Sequence, residues 1–395
     1  MTDREAVIVG YARTPIGRFG GAFAGLTAME LGGRAIAGAL DRAALDPGQV
    51  DQVVMGHVLQ AGQGQITARQ AARAAGIGMG VPALTVNKVC LSGMTAVALA
   101  DQWIRLGEAD VVVAGGMESM SRAPYVLPDA RWGMRMGDGA AVDTLVHDGL
   151  WCAFDDCHMG AGSDAKNADY GISRATQDAW AARSHERAVA AWKAGRFSGE
   201  VVPVDVPQRK GEPLLVEQDE GMRPGTSVES LSRLTAAFSA DGTITAGNAS
   251  QVSDGGAALV LAERATAEQL GLAPLGRVLA YGTVAGPDPS LHHQPAAAIS
   301  KAVAKLGVAP DALDLYEINE AFASVAVHAS GLLGLDEERV NPTGGAVALG
   351  HPIGCTGARI TVSLLHELRN RGGGRGAAAL CGGGGQGDAL ILEAL

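Results

Sequence analysis

The stretch Val86-Asn87-Lys88-Val89-Cys90-Leu91-Ser92-Gly93-Met94 decides how the rest of this chain is read. An apolar run from Val81 to Val86 leads into it. A small-residue stretch from Met94 to Leu106 leads out of it, and Gly107 stands where a left-handed cap would stop a helix. The order is therefore strand, turn, helix, with Cys90 at the turn. A helix start carries unpaired N–H groups and partial positive charge, which favour thiolate over thiol. Cys90 is on that ground a candidate nucleophile. A buried cysteine acting as a small hydrophobe fits the same position equally well.

Working outward, the first third of the chain alternates. Val7 to Val9 reads as a strand and Ala28 to Leu45 as a helix with Met29, Ile36, Ala39 and Leu40 on its apolar face. Val50 to Met55 is a second strand, Gln65 to Ala75 a short helix, Ala83 to Val89 the approach to Cys90, and Asp110 to Ala114 a further strand. Such alternation implies a largely parallel sheet covered by helices. Near Ser119 the composition turns richer in charge, Pro and Gly. It stays so to about Ser250, with one clear amphipathic helix, Arg174 to Ala194. This segment reads as an insertion or lid.

From Gly276 the opening pattern returns. Arg277-Val278-Leu279-Ala280-Tyr281 echoes Ile8-Val9-Gly10-Tyr11, and Leu306 to Leu315 echoes Leu45 to Gln52. Ile353-Gly354-Cys355-Thr356-Gly357 echoes Val89-Cys90-Leu91-Ser92-Gly93, and Ala379-Leu380-Cys381-Gly382-Gly383 echoes Val112 to Gly116. Four echoes in one order predict an α/β fold of two similar βαβ-type layered halves related by a pseudo-twofold, with an inserted loop domain. The halves expected are residues 1–119 with 250–274, and 275–395; the loop domain is 120–249.

The same alignment divides the reactive residues. Gly354 stands opposite Cys90, Ala114 opposite Cys381, and Gly56 opposite Asn319. A pseudo-twofold would gather these loop ends into one composite site of Cys90, Asn319, His351 and Cys381. Each has a plainer reading. Asn319 can cap a helix beginning at Glu320 or Ala321, His351 can bond backbone at a turn, and Cys381 can be core.

Composition excludes several classes. A net charge of −11 argues against general nucleic-acid binding. Five scattered cysteines are no disulfide framework. The Gly382–Gly385 run lacks the lysine of a phosphate loop and the acid of a dinucleotide fingerprint, which disfavours a Rossmann oxidoreductase. Cys152, Cys157 and His158 lack the second pair of a zinc site. The expectation is that no leader precedes the strand at Ala6, and no apolar run is long enough to span a bilayer. The expectation is a cytoplasmic protein with no metal or other cofactor, no nucleic-acid partner and no membrane partner.

Seven ordered motifs carry a resemblance: Asn87 to Gly93, Gly115 to Ser121, His158-Met159-Gly160, Asn248-Ala249-Ser250, Asn319-Glu320-Ala321-Phe322, Gly350 to Gly354 and Cys381 to Gly384. Together they resemble the thiolase family, from Tyr11-Ala12-Arg13-Thr14-Pro15 to the C-terminus. The resemblance implies an αβαβα sandwich and an acyltransferase that joins two acetyl-CoA into acetoacetyl-CoA and CoA, or runs in reverse. It implies that Cys90 carries the acyl group, that His351 activates it and helps bind the thioester oxygen, and that Asn319 holds a water for that oxyanion. Cys381 would take the α-proton of the second substrate, and the N–H groups of Cys90 and Gly383 would form a second oxyanion hole. Contacts to CoA would come from His158, Met159, Arg223, Ser230, Phe238, Ala246 and Ser250, with Leu150, Ala321 and Phe322 at the acyl end. Arg131 to Gly149 resembles a loop that tethers two dimers into a homotetramer. Many members carry Met-Gly-x-Gly-Pro where this chain has Leu291-His292-His293-Gln294-Pro295, so the pocket differs there. A broader 3-ketoacyl-CoA thiolase and a non-catalytic lipid carrier on the same scaffold are the alternatives. The four reactive residues disfavour the carrier.

Overall fold

A computed structural model describes residues 4–395; Met1, Thr2 and Asp3, the start of the leader reading, lie outside the described residues. Its centre is a ten-stranded sheet. In chain order the long strands are β1 (Ala6–Arg13), β2 (Gln52–Gly56), β3 (Ala83–Val86), β4 (Val111–Ser119), β5 (Ser253–Glu263), β6 (Gly276–Ala285), β7 (Leu315–Ile318), β8 (Gly374–Gly382) and β9 (Gln386–Ala394). They lie in the order β7-β8-β9-β6-β1-β5-β4-β2-β3, and the two-residue strand Gly17–Arg18 pairs with β5. Read outward from the β6–β1 junction, both sides run in matching sequence. The halves meet there through a single pairing, Ile8 opposite Gly276.

Helices fill three layers. On one outer face lie α1 (Ala28–Ala43) and α2 (Thr67–Ala74). Between the halves lie α3 (Ser92–Leu106) and a long second-half helix, Ile353–Asn370. On the other outer face lie Gln294–Ala304 and Ala323–Leu332. Strand alternation decides which layer each residue feeds. Val7, Val113 and Val260 join the outer core under α1, and Ile8, Val112 and Leu259 join the central one. In Ile353–Asn370 only His366, Arg369 and Asn370 escape burial, because sheet lies on both sides of it.

The ladders make the pseudo-twofold checkable. β1 and β6 each carry a bulge at the same place, at Val9 and at Leu279. With those two residues matched, Tyr11 stands for Tyr281. Tyr11 lies opposite Leu259, which lies opposite Ala114; Tyr281 lies opposite Leu390, which lies opposite Ala378. Ala114 therefore corresponds to Ala378, and the counterpart of Cys381 is Met117. The pairing of Cys381 with Ala114 expected from sequence is wrong by three positions, since a run of Ala, Val and Gly aligns nearly as well in several registers. The other two matches stand. The ladders equate Asn319 with Gly56. α3 crosses the long central helix at reciprocal glycines: a Cβ on Gly93 would lie 2.8 Å from the Ala358 nitrogen, and one on Gly357 2.4 Å from the Met94 nitrogen. That contact equates Gly93 with Gly357, and so Cys90 with Gly354.

Boundaries shift locally. α1 ends at Ala43, not Leu45, because Ala44 turns left-handed. Gly107 caps α3 with φ 79°, as expected. The insertion holds α5 (Arg174–Lys193), close to the expected span, and also an unforeseen α4 (Met159–Asp169). Two glycines and weak apolar periodicity hide α4 in the sequence. The insertion also holds three short two-stranded pairings and a short helix, Val228–Ser232.

Candidate active site

Cys90 sits where β3 gives way to α3. Val89, directly before it, has φ +50°. A β-branched residue avoids that region, so the turn is held against local preference by its surroundings. Ser92 Oγ donates to the Val89 carbonyl and accepts from the Lys88 N–H, and the Lys88 ammonium pairs with buried Asp388 at 2.8 Å. These bonds set the sulfur at the end of a cavity of about 50 Å³.

That cavity gathers most of the expected residues. Cys90, Leu150, His158, Met159, Ser250, Ala321, Phe322, His351 and Cys381 line it, joined by Leu291 and Ile353. The Asn248-Ala249-Ser250 and Asn319-to-Phe322 segments meet as neighbours: Ser250 N–H donates to the Ala321 carbonyl, and Ala323 N–H to the Asn248 carbonyl. The amides of Cys90 and Gly383 lie near enough to the Cys90 sulfur to lower its pKa. Phe238 stacks on His158 at 4.6 Å and meets the edge of Phe322. Arg223 lies elsewhere, exposed on an open cleft along α5 with His185 and Lys193, while Ser230 and Ala246 are exposed on the insertion.

The protonation of Cys90 departs from expectation. The amides at the turn do lower its pKa, but burial dominates and pushes the thiol up to about 12. The resting group is a thiol, and a base has to activate it. His351 is suited to that. Its Nδ1 lies 2.7 Å from Thr356 Oγ1, and the Thr356 hydroxyl donates to the Pro352 carbonyl. We assign the ring hydrogen to Nδ1 accordingly, which leaves Nε2 with a free lone pair. Nε2 is buried and has no protein partner. Burial, helped by the Arg359 charge, lowers the ring's pKa to about 3. The ring is therefore already neutral well below pH 6.5 and gains no proton as pH falls from 8 to 5. The rate of acyl loading is expected to show no acid limb near pH 6.5; a limb there that disappears in His351→Asn would contradict this.

Asn319 is no helix cap. The helix after it begins at Ala323 with Phe322 as its N-cap. Both polar atoms of the Asn319 side chain are buried and unpartnered in the protein. An orphaned buried amide costs on the order of 1–3 kcal/mol, so such a group is kept for something it binds. Cys381, at the end of β8, is buried against the same cavity, and burial with the nearby Cys90 thiol raises its pKa. As a thiolate it would be a stronger base than an ordinary one.

Three supporting groups escaped the sequence reading. Glu118 is wholly buried and accepts from the backbone N–H groups of Val58, Leu59 and Gly354, with His57 Nε2 3.2 Å away. It ties the loop after β2 to the His351 loop, across the two halves. Glu320 accepts from Trp180, Ser184, Asn341 and the Val347 N–H, which holds Asn319's segment to α5. Thr356 orients His351. The acids sit inside quoted motifs, Gly115–Ser121 and Asn319–Phe322. A carboxylate among buried residues, in a strand for Glu118 and just past one for Glu320, was the available signal.

A thiol, a neutral imidazole with a free nitrogen and a second thiol on one cavity, with two backbone amides near the first sulfur, make a site for acyl transfer through cysteine. Among the described residues no group of three His, Cys, Asp or Glu side chains could hold a metal ion, and no helix is long and apolar enough to cross a membrane. Family models agree with the fold. Residues 6–265 match the thiolase N-terminal domain, and residues 272–394 the thiolase C-terminal domain. The chain belongs to the thiolase family. It is 53% identical over 387 residues to a probable acetyl-CoA acetyltransferase of Mycolicibacterium smegmatis, covering 98% of this chain and 100% of that one. It is 51% identical over 390 residues to the acetyl-CoA acetyltransferase of Pseudomonas aeruginosa, covering 98% and 99%. The crystal structure of the Bacillus anthracis acetyl-CoA acetyltransferase superposes with a TM-score of 0.96 at 42% identity, over 99% of both chains.

Proposed function

We propose that this chain is an acetyl-CoA acetyltransferase, interconverting two acetyl-CoA with acetoacetyl-CoA and CoA. The observation that carries this reading is the convergence of Cys90, His351 and Cys381 on a cavity of only about 50 Å³. His351 Nε2 takes the Cys90 proton as the sulfur attacks the first thioester. CoA leaves with that proton, and the acetyl group stays on Cys90. Asn319, through a water, and His351 steady the thioester oxygen. Cys381 then takes the α-proton of the second acetyl-CoA, while the Cys90 and Gly383 amides hold the enolate oxygen. The enolate attacks the acetyl carbon, the Cys90 sulfur leaves and takes up the proton held by Cys381, which returns Cys381 to the thiolate, and acetoacetyl-CoA departs. CoA thioesters are substrates here, and no cofactor is invoked. Leu150, His158, Met159, Phe238, Ser250, Ala321 and Phe322 grip the pantetheine and acyl end; Arg223, Ser230 and Ala246 serve the nucleotide end. Residues 1–119 with 250–274, 120–249 and 275–395 act as the two halves and the loop domain, in a cytoplasmic enzyme.

Small cavity volume supports a short-chain preference, since forcing each extra methylene into a filled pocket costs roughly 1–3 kcal/mol. Acetoacetyl-CoA is expected to give the highest kcat/KM in thiolysis among 3-ketoacyl-CoAs of increasing length. An eight- or ten-carbon substrate that equals it would replace this reading with the broader 3-ketoacyl-CoA thiolase. The Arg131–Gly149 segment supports tetramer formation: Trp132 is 80% and Met136 97% exposed, an unusual presentation of large apolar groups. Light scattering at micromolar concentration is expected to give four chains; a stable monomer would refute the tethering role.

A further inference from the structure

We infer that His292 is a positioning residue for acyl-chain selectivity: it holds Leu291 as a partition that closes the acyl cavity off from a second cavity beside it. This rests on the thiolase reading above and deepens it. The second cavity measures about 130 Å³, and Met159 and Leu291 line both it and the acyl cavity. These two side chains are therefore the wall between them. The space behind the wall would take several water-sized groups, enough for an acyl chain longer than four carbons.

A leucine cannot anchor itself by hydrogen bonds, and its place is set by the backbone that carries it. That backbone is fixed one residue on. His292 is fully buried. Its Nε2 lies 2.9 Å from Asn167 Oδ1 and 3.2 Å from Ser324 Oγ. Asn167 Nδ2 donates to Thr243 Oγ1 at 2.9 Å, so its oxygen faces the ring and the ring donates from Nε2. Asn167 belongs to α4, which begins at Met159. Ser324 lies in the first turn of the helix that follows Ala321 and Phe322. One imidazole thus links the three elements that supply Met159, Leu291 and Phe322 to the acyl cavity. Tyr170 packs on the ring at 5.2 Å. None of these contacts reaches the reacting atoms. His292 is absent from the walls of both cavities, so its effect on substrate choice would pass through Leu291. A residue without a side-chain donor at 292 leaves Asn167 Oδ1 buried and unpaired and frees Leu291 to move.

The test compares thiolysis kcat/KM for acetoacetyl-CoA and 3-ketohexanoyl-CoA in the wild type, His292→Ala, His292→Gln and Leu291→Ala. His292→Ala is expected to raise the ratio of the six-carbon to the four-carbon substrate by at least about tenfold, the scale on which a pocket discriminates one or two methylenes. His292→Gln, which keeps a donor, should move it far less. Leu291→Ala takes away one of the two side chains of the wall directly and should raise the ratio with His292 in place. Adding His292→Ala to it should raise the ratio no further. A parallel loss on both substrates in His292→Ala, with the ratio unchanged, would overturn the inference. If His292→Ala does not fold, an unchanged ratio in Leu291→Ala overturns it instead. A wild type that prefers the longer substrate would sink the short-chain reading itself, whereas a wild type that prefers acetoacetyl-CoA beside an unmoved His292→Ala ratio would sink only this inference.

Discussion

Cys90→Ala is expected to abolish acyl transfer in both directions, lowering thiolysis and acetyl exchange by at least about 10⁴-fold, the scale on which loss of a covalent nucleophile is felt. The fold should survive, since the change removes one sulfur from a turn whose bonds run through Ser92, Val89 and Lys88. The loss should be chemical for three reasons. Cys90 lines the same cavity as a neutral histidine whose ring nitrogen has no protein partner. Its own amide and that of Gly383 are near enough to lower the pKa of its sulfur. The other cavity thiol, Cys381, raised by burial and by its neighbour, has no such base assigned to it. Acid quenching after incubation with acetyl-CoA, followed by digestion and mass mapping, would read the result. Wild-type label on Cys381, or label surviving in Cys90→Ala, would reverse the assignment.

Cys381→Ser is expected to separate the two half-reactions. Acetyl exchange between acetyl-CoA and CoA needs only loading and unloading of Cys90, so it should persist. Condensation needs removal of a weakly acidic α-proton and should fall by at least about a hundredfold, as for loss of a positioned base. A serine hydroxyl is a far poorer proton acceptor than a thiolate, yet it fills nearly the same volume at the end of β8. Packing against Ile244, Leu291 and Val325 should therefore hold. Equal loss of exchange and condensation would mean that Cys381 serves loading as well, and the division of labour would fail.

Much of this was legible in the linear chain because it depends on local order. The strand–turn–helix around Cys90, the Gly107 cap, the apolar face of α1 and the span of α5 follow from periodicity and capping chemistry. The two halves were legible too, because each repeats the same punctuation, and motif order named the four reactive residues. Register was not legible. Ala114 and Met117 compete as partners for Cys381, and only the bulges at Val9 and Leu279, carried through the ladders, choose between them. Nor was the protonation of Cys90. A helix start predicts a thiolate, but desolvation is a property of every neighbour at once, and here it outweighs the amides. Asn319 reads as a cap by itself, and only the tertiary structure leaves its amide unpaired. Glu118 is one acid in a strand until Gly354, 236 positions away, donates to it. The wall of Leu291 and Met159, with His292 behind it, exists only because α4, the loop before Gln294 and the helix from Ala323 pack together. Sequence named the side chains proposed to carry the chemistry. Tertiary structure decided their protonation, their partners and the room left for substrate, since each of these depends on neighbours brought from far along the chain.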